Sequence, residues 1–322
     1  MKKIISAAFC LLFVLTSLFG CAARGGSDGD KISIVTTIFP EYDWVRQIVG
    51  DKTDRVKLTM LLDNGVDLHS YQPTADDIIG ISTCDMFIYV GGESDEWVED
   101  ALKEATNKNM VVINLLEVLG DKVKEEELVE GMQEEDDDAS EDGPEYDEHV
   151  WLSLRNAALL CNYISEKLCG IDPDNGEAYK ANTNAYVAKL NALDARYKET
   201  VDSAATKTLL FGDRFPFRYM ADDYGLDYYA AFAGCSAETE ASFETVVFLA
   251  NKVDELGLKV IMQIESADGR IARTIRDTTK SKDQTILALD SMQSATANDV
   301  KAGITYLGVM EKNLGVLGDA LK

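Results

Sequence analysis

The chain has 322 residues, 46% of them hydrophobic and 27% charged, and its 57 acidic and 31 basic side chains give a formal net charge of −26. This length allows two folded lobes. The ordinary apolar content excludes a wholly disordered chain, and the acidic excess argues against nucleic acid as a partner. Only two histidines occur, so any site that uses imidazole draws on His69, His149 or both.

The first twenty residues have the pattern of a secretory signal peptide. Two lysines precede an apolar run over residues 4–19, which is shorter than the roughly 20 residues that a membrane span needs. The run ends in Gly20-Cys21, which resembles the lipobox of bacterial lipoproteins and implies cleavage before Cys21 and acylation of that cysteine. The alternative is an ordinary signal peptide followed by an incidental cysteine. Residues 21–31, rich in Gly, Ser and Asp, then form a flexible tether.

Short β-branched or apolar runs alternate with amphipathic segments in the next hundred residues. This alternation predicts βαβ units around a mostly parallel sheet. The predicted strands cover residues 31–38, 56–62, 86–90 and 110–114, and the predicted helices cover 41–49, a segment starting at Thr74, and 96–104.

A break in composition separates this part from the rest. Fourteen of the twenty-four residues from Glu125 to Glu148 are acidic and none is basic. Such a run repels itself, so we expect an acidic loop that stays solvated and mobile.

The second half repeats the alternation after two helices. The first helix is predicted over 150–168, and the second over 173–203, where about 30 residues at 1.5 Å each span some 45 Å. Strands are predicted over 208–211, 227–231, 259–263 and 284–289, with helices over 243–255, 268–278 and at the C-terminus. The predicted fold is α/β, with two lobes (32–172 and 204–322), each a mostly parallel sheet flanked by helices, joined by one long backbone helix (173–203).

Four cysteines remain beyond the leader, namely Cys84, Cys161, Cys169 and Cys235. No CxxC motif occurs among them, which argues against a zinc ribbon or a thioredoxin-like site. Cys161 and Cys169 are predicted on one helix about 12 Å apart, too far for a disulfide. An extracellular location permits disulfides, but the sequence leaves the pairing open.

Both histidines lie at junctions between predicted elements and beside acidic residues. His69 stands between a strand and a helix, where open α/β sheets bind ligands. His149 stands where the acidic run meets a helix. Imidazole is the commonest metal ligand and is neutral at pH 7, so the pair predicts a metal site. The alternative is that each is an ordinary surface histidine.

Around these histidines the chain resembles the lipoprotein solute-binding components of zinc and manganese ABC importers, the class A-I metal-binding family. Residues 67–74 (DLHSYQPT) match the family's Asp-Pro-His-x-Tyr-x-Pro-Thr element, with Leu68 in place of proline. Residues 149–152 (HVWL) match its His-Val-Trp-Leu-Asp-Pro element, although Ser-Leu replaces Asp-Pro. Residues 172–194 match the start and face of its backbone helix. The resemblance implies a metal cleft between the two lobes, with His69 and His149 as ligands.

The third ligand departs from the family's pattern. The family places a His or Glu eleven residues before a glycine in an aromatic-rich element, and here that position is Arg214, eleven residues before Gly225. An arginine is always protonated and cannot bind a cation. We therefore predict that the neighbouring Asp213 is the third ligand. The alternative is that Asp213 and Arg214 form a local ion pair.

The resemblance implies an acidic fourth ligand after a later strand, which we assign to Glu265. Glu238 and Glu240 are reserve candidates, and Cys235 is another if the metal is soft. Two neutral imidazoles and two carboxylates neutralise a divalent ion and suit zinc, manganese or iron better than magnesium.

The resemblance to this family implies a function in the import of metal ions. We expect an extracytoplasmic protein, anchored to the cell membrane through Cys21 and monomeric, that captures zinc, or else manganese, and delivers it to the permease and ATPase of an ABC transporter. We expect no enzymatic activity. The rival classes are a metal-dependent hydrolase, for which HExxH and GxSxG motifs are missing, and an adhesin lipoprotein.

Overall fold

The computed structural model describes residues 31–133, 145–236 and 240–322. The described residues from Ile32 to Lys322 belong to one compact structural unit. The predicted signal peptide, Cys21 and the tether up to residue 30 lie outside the described residues, as do Glu238 and residues 134–144 of the acidic run. Within the described ranges, no helix has the length and apolar character that would let it cross a membrane.

The first sheet contains four parallel strands. Their order is β2-β1-β3-β4, and in register Ile34 lies beside Leu58 on one side and Met86 on the other. The two central strands are almost continuously apolar and buried, as a parallel sheet covered on both faces requires. The strands are β1 (Ile32–Thr36), β2 (Val56–Met60), β3 (Met86–Tyr89) and β4 (Val111–Asn114).

The helix that follows the His69 loop begins at a capping box. The Thr74 hydroxyl accepts from the Asp77 amide at 3.2 Å, and the Asp77 carboxylate accepts from the Thr74 amide at 2.8 Å. Tyr71 also donates to Asp77 at 2.9 Å. These bonds satisfy amides of the first turn that have no helical partner and hold the loop against the helix. The helices of the first lobe are α1 (Phe39–Val49), α2 (Ala75–Thr83), α3 (Trp97–Lys103) and α4 (Leu115–Leu119).

Two long helices, α5 (Leu154–Ile171) and α6 (Gly176–Asp202), connect the sheets. The 27 residues of α6 span about 40 Å. Asn182 on this helix donates to the Ile48 carbonyl of α1 at 3.0 Å, and Tyr197 donates to the Met310 carbonyl near the C-terminus at 2.6 Å. The helix is therefore bonded to both lobes. Its buried face includes Tyr179, Tyr186, Leu190, Leu193 and Tyr197.

The second sheet is also parallel, with the order β6-β5-β7-β8. A Cβ at Gly212 on β5 would lie 2.5 Å from the Ala272 Cα, so only glycine lets a helix pack this closely on the sheet. The strands are β5 (Thr208–Arg214), β6 (Asp227–Phe232), β7 (Val260–Ile264) and β8 (Thr285–Leu289), and the helices are α7 (Arg218–Tyr224), α8 (Phe243–Leu256), α9 (Arg270–Thr278), α10 (Ala297–Ala302) and α11 (Tyr306–Ala320).

The predicted α/β class with two parallel-sheet lobes and a long connecting helix is confirmed. Two short helices, α4 and α7, were not predicted, and the C-terminal helix is divided into α10 and α11. Pro40 lies in the first turn of α1, where a missing amide hydrogen costs little. Cys161 and Cys169 share α5 as predicted, and the four cysteines that the structure describes are all free.

Candidate metal centre

His69 lies in a one-turn 3-10 helix, Leu68–Ser70, in the loop between β2 and α2. The Asp67 carboxylate accepts from the His69 amide at 3.1 Å and so starts this turn. The His69 Nδ1 atom lies 2.7 Å from the Ser94 hydroxyl, and the Ser94 amide donates to the Glu148 carboxylate at 2.9 Å.

His149 is fully buried just before the 3-10 turn Val150–Leu152. The Asp147 carboxylate accepts from the His149 amide at 2.8 Å and from the Nδ1 atom of the same ring at 3.0 Å. A carboxylate on one ring nitrogen fixes the tautomer and orients the other nitrogen for a metal. The next aromatic side chain, Trp151, donates to the Ser291 carbonyl at 2.9 Å and so ties this turn to the second lobe.

The two imidazoles face each other through their Nε2 atoms, which lie 3.4 Å apart. Burial, followed by the neighbouring His149 ring, lowers the pKa of His69 to about 3. At neutral pH His69 is therefore uncharged, which is the form that binds a cation.

The separation of the two Nε2 atoms fits a tetrahedral ion. At Zn–N distances of about 2.0–2.1 Å, two nitrogens of a tetrahedral zinc lie about 3.3 Å apart. The observed 3.4 Å matches this value, so His69 and His149 are placed to bind one divalent ion between them.

One further side chain lies with the two histidines. The Cys235 Sγ atom and ring nitrogens of His69 and His149 all lie within 4.8 Å of one another. Burial, then the carboxylates of Asp147 and Glu126, raise the pKa of the Cys235 thiol well above its usual value. Cys235, which the sequence suggested only as a reserve metal ligand, thus lies beside both imidazoles.

The predicted carboxylate ligands Asp213 and Glu265 lie at the carboxyl ends of β5 and β7, outside the cluster formed by the histidines and Cys235. Asp213 accepts from the Ile264 amide at 3.1 Å and from the Arg214 amide at 2.9 Å. Glu265 accepts from the Ser291 amide at 2.8 Å and from two serine hydroxyls. Burial raises the pKa of Asp213, and Glu265 adds to this rise. Both remain predictions as ligands.

The other reserve candidates contribute little to the described geometry. Glu240 is exposed, and Glu238 lies outside the described residues. Arg214, which stands at the family's third-ligand position, is ion-paired with Asp67 of the first lobe.

The acidic run is not solvated throughout, contrary to our expectation. Asp147 and Glu148 are each only 2% exposed. The Asp147 carboxylate accepts from His149, and the Glu148 carboxylate accepts from the Ser94 amide. Glu126 accepts from the Cys235 amide at 3.0 Å. The run of acids with no basic residue suggested solvent exposure, but the residues that bury Glu126 and Glu148 are distant in sequence.

Sequence reasoning missed the residues that orient the imidazoles, Ser94 and Asp147. Asp147 could have been found, because an acid two residues before a histidine recurs at Asp67 and His69, where the carboxylate likewise accepts from the histidine amide. Nothing near Ser94 in the sequence marks it.

Two parallel-sheet lobes joined by one long helix, with paired imidazoles in the cleft, define a solute-binding protein of the metal type. Residues 34–320 match the family model described as zinc-uptake complex component A, periplasmic, and the chain belongs to this family. This is a family of extracytoplasmic transport components and not a class of enzymes.

Individual relatives agree with this assignment. The chain is 33% identical to the zinc-binding lipoprotein AdcA of Streptococcus pneumoniae, over 98% of its own length and 60% of that protein's. It is 30% identical to the high-affinity zinc uptake system protein ZnuA of Bacillus subtilis, over 96% of this chain and 97% of that one. It thus spans less than two thirds of the pneumococcal relative.

Solved structures show the same architecture. The Zn(II)-bound ZnuA-like domain of Streptococcus pneumoniae AdcA has a TM-score of 0.70 at 30% identity, covering 90% of this chain and 99% of that domain. The metal-dependent lipoprotein YcdH from Bacillus subtilis has a TM-score of 0.73 at 28% identity, with 90% and 99% covered.

Proposed function

We propose that this protein captures Zn²⁺ outside the cytoplasm and delivers it to the permease and ATPase of an ABC importer. The observation that carries the proposal is the pair of imidazoles of half-buried His69 and buried His149, whose Nε2 atoms are spaced for one tetrahedral ion. The names of the relatives, a zinc-binding lipoprotein and a zinc uptake protein, support zinc as the cargo.

The proposal includes a lipid anchor at Cys21 and a monomeric protein without catalytic activity. The Gly20-Cys21 sequence after an apolar run supports the anchor, as does the lipoprotein name of the pneumococcal relative. A binding protein needs a site that holds the ion, whereas a hydrolytic site also needs a positioned water and a general base.

Zinc is proposed over manganese because zinc binds more tightly at nearly every nitrogen-containing site. Asp213 and Glu265 remain the proposed carboxylate ligands. Each would exchange a backbone amide bond for the ion when the lobes close around it, and the negative charge of both would neutralise the cation.

The test is metal binding by the purified mature chain. Protein prepared without chelator should retain one equivalent of zinc through desalting, and calorimetric titration of His69→Ala and His149→Ala should show at least tenfold weaker zinc binding. Gln72→Ala, an exposed change in the same loop as His69, is the control and should bind like the parent. Parent-like affinity in both histidine variants would refute this site.

A further inference from the structure

We infer that the Cys235 thiolate is a ligand of the captured ion and takes one of the two positions that the proposed function gives to Asp213 and Glu265. With His69 and His149 it forms a nitrogen–sulfur site that selects zinc and other thiophilic metals over manganese. This inference rests on the proposed function and sharpens it. Cysteine is absent from the ligand set that the family resemblance implies, so the assignment concerns this chain's own residues.

The geometry brings the sulfur to the ion from the second lobe. Cys235 follows β6, whereas His69 follows β2 of the first lobe, and the three donor atoms lie within 4.8 Å of one another. Since Zn–S is about 2.3 Å and Zn–N about 2.0–2.1 Å, nitrogen and sulfur on a tetrahedral zinc lie about 3.6 Å apart, so a movement of at most about 1.2 Å suffices.

A glycine permits this approach. A Cβ on Gly234 would lie 3.3 Å from the His149 ring and 2.9 Å from the Phe215 carbonyl oxygen. Because Gly234 has no side chain, the backbone passes directly against His149 and sets the next residue, Cys235, beside its ring.

The backbone on either side of the thiol is also held. The Cys235 amide donates to Glu126 at 3.0 Å, and the Arg214 guanidinium donates to the Ser236 carbonyl at 3.4 Å. Arg214 is itself paired with Asp67 beside His69. The segment that carries the sulfur is thus connected to the loop that carries the first imidazole, which pre-organises the three donors.

Carboxylates surround the sulfur, namely those of Glu126, Asp147 and Glu148. When the ion enters, the S–H bond breaks, the S–Zn bond forms and the proton leaves to solvent. The same carboxylates then stabilise the bound cation.

Thiolate ligation predicts the metal preference. Sulfur ligands favour zinc and softer ions, whereas manganese prefers oxygen. Replacing the thiolate at position 235 by a hydroxyl should therefore weaken zinc binding far more than manganese binding. The ratio of zinc affinity to manganese affinity should fall.

Cobalt(II) reports the ligand directly. The parent protein loaded with Co²⁺ should show a thiolate-to-cobalt charge-transfer band in the near ultraviolet, and Cys235→Ser should lose it and bind zinc at least tenfold more weakly. Cys169→Ser is the matched control, because Cys169 is a partly buried thiol on α5 that bonds to Gly176. It should keep both the band and the affinity.

The outcomes separate this inference from the proposed function. A parent that holds one zinc but lacks the band, with parent-like zinc affinity in Cys235→Ser, would overturn the thiolate and leave the transport proposal standing. A parent that binds no zinc would overturn both. If Cys235→Ser does not fold, alkylation of the parent decides: zinc should protect Cys235 from the reagent, and equal modification with and without zinc refutes ligation.

Discussion

The guanidinium of Arg214, at the end of β5 in the second lobe, is ion-paired with the carboxylate of Asp67, two residues before His69 in the first lobe. The pair crosses the cleft beside the metal centre. Burial and the His149 ring lower the pKa of His69, and the positive charge of Arg214 lowers it further, whereas the negative charge of Asp67 raises it. The permanently charged Arg214 thus lies near the proposed metal site, and Asp67 neutralises its charge.

This arrangement predicts opposite effects for the two partners. Arg214→Gln removes a charge that repels the ion, so zinc should bind about five- to thirtyfold more tightly, which corresponds to about 1–2 kcal/mol. Asp67→Asn keeps the oxygen that accepts from the His69 amide but leaves Arg214 unpaired, so zinc should bind more weakly by a similar factor. Calorimetric titration at low and high salt measures both effects.

The double variant Arg214→Gln with Asp67→Asn is the control for this pair. It restores the parent's net charge near the site, so its zinc affinity should return to within about threefold of the parent value. Weaker binding by Arg214→Gln alone would contradict the electrostatic account and show that the pair acts by holding the lobes together.

The Asp147 carboxylate sets the tautomer of His149. Loss of this carboxylate should therefore weaken zinc binding, although Asp147 is not proposed as a ligand of the ion. In Asp147→Asn the side chain can present an N–H to Nδ1, which shifts the proton to Nε2 and blocks the lone pair. Zinc affinity should fall about 10- to 100-fold, the range for partners that orient metal ligands.

Asp172→Asn provides the matched control for Asp147→Asn. Asp172 is also a buried carboxylate and accepts from Tyr179 at 2.8 Å and from Asn175 at 2.9 Å, but it lies at the start of the backbone helix. Its replacement should lower thermal stability and leave zinc affinity unchanged. Equal affinity loss in both variants would point to general destabilisation.

The two histidines could be predicted as a pair because they are the only histidines in the sequence and each stands in a short motif at a junction between predicted elements. Asp67 and Asp147 each accept from the amide of the histidine two residues later. The sheets and the long helix followed from apolar periodicity, which is strong in buried parallel strands.

Cys235 could only be a reserve candidate from the sequence. A cysteine after a strand carries no local signal of ligation, and its role depends on Gly234 passing against His149, a contact between residues far apart in the chain. Similarly, α7 has only seven residues, too few for a helical period to stand out. Both depend on tertiary packing that no local window contains.

A buried carboxyl behind the site predicts how stability depends on pH. Burial, with a further contribution from Glu148, raises the pKa of Asp95 to about 7. The folded state therefore keeps a proton up to about pH 7 that the unfolded chain loses near pH 4. The contribution of Asp95 to the free energy of unfolding is therefore fully present below pH 4. It falls as the pH rises towards 7, by up to about 4 kcal/mol.

Asp95→Asn cannot lose this proton, so metal-free Asp95→Asn should gain stability over the parent progressively from pH 4 to pH 7 in denaturant titrations. Asp299→Asn is the control of opposite sign. Bonds from Thr296 lower the pKa of Asp299, so its loss should cost stability above pH 4 and nothing below. A constant difference between Asp95→Asn and the parent across this range would contradict the assignment.

The two ends of the acidic run meet at the metal centre, because Glu126 bonds to the Cys235 amide and Asp147 bonds to His149. Both described ends of the run therefore lie at the cleft. We expect the dense negative charge of the run to raise the local concentration of cations and speed their capture. We also expect the run to supply no ligand to the tight site.

Neutralising the central acids tests this role while keeping the loop length. The variant changes seven residues to their amides: Glu134, Glu135, Asp136, Asp137, Asp138, Glu141 and Asp142. Stopped-flow measurement should show zinc associating several-fold more slowly at low salt, with the difference vanishing as salt screens the charges. The equilibrium affinity should stay within about twofold of the parent at moderate salt.

A matched control separates local charge from net charge. It neutralises seven exposed acids elsewhere: Asp51, Asp54, Glu99, Asp100, Glu104, Glu117 and Glu177. This variant has the same net charge as the loop variant, so a rate that depends on net charge alone would fall equally in both. We expect the loop variant to be slower, because the potential at the cleft depends on the nearest charges. Loss of tight binding in the loop variant would instead show that this segment supplies a ligand.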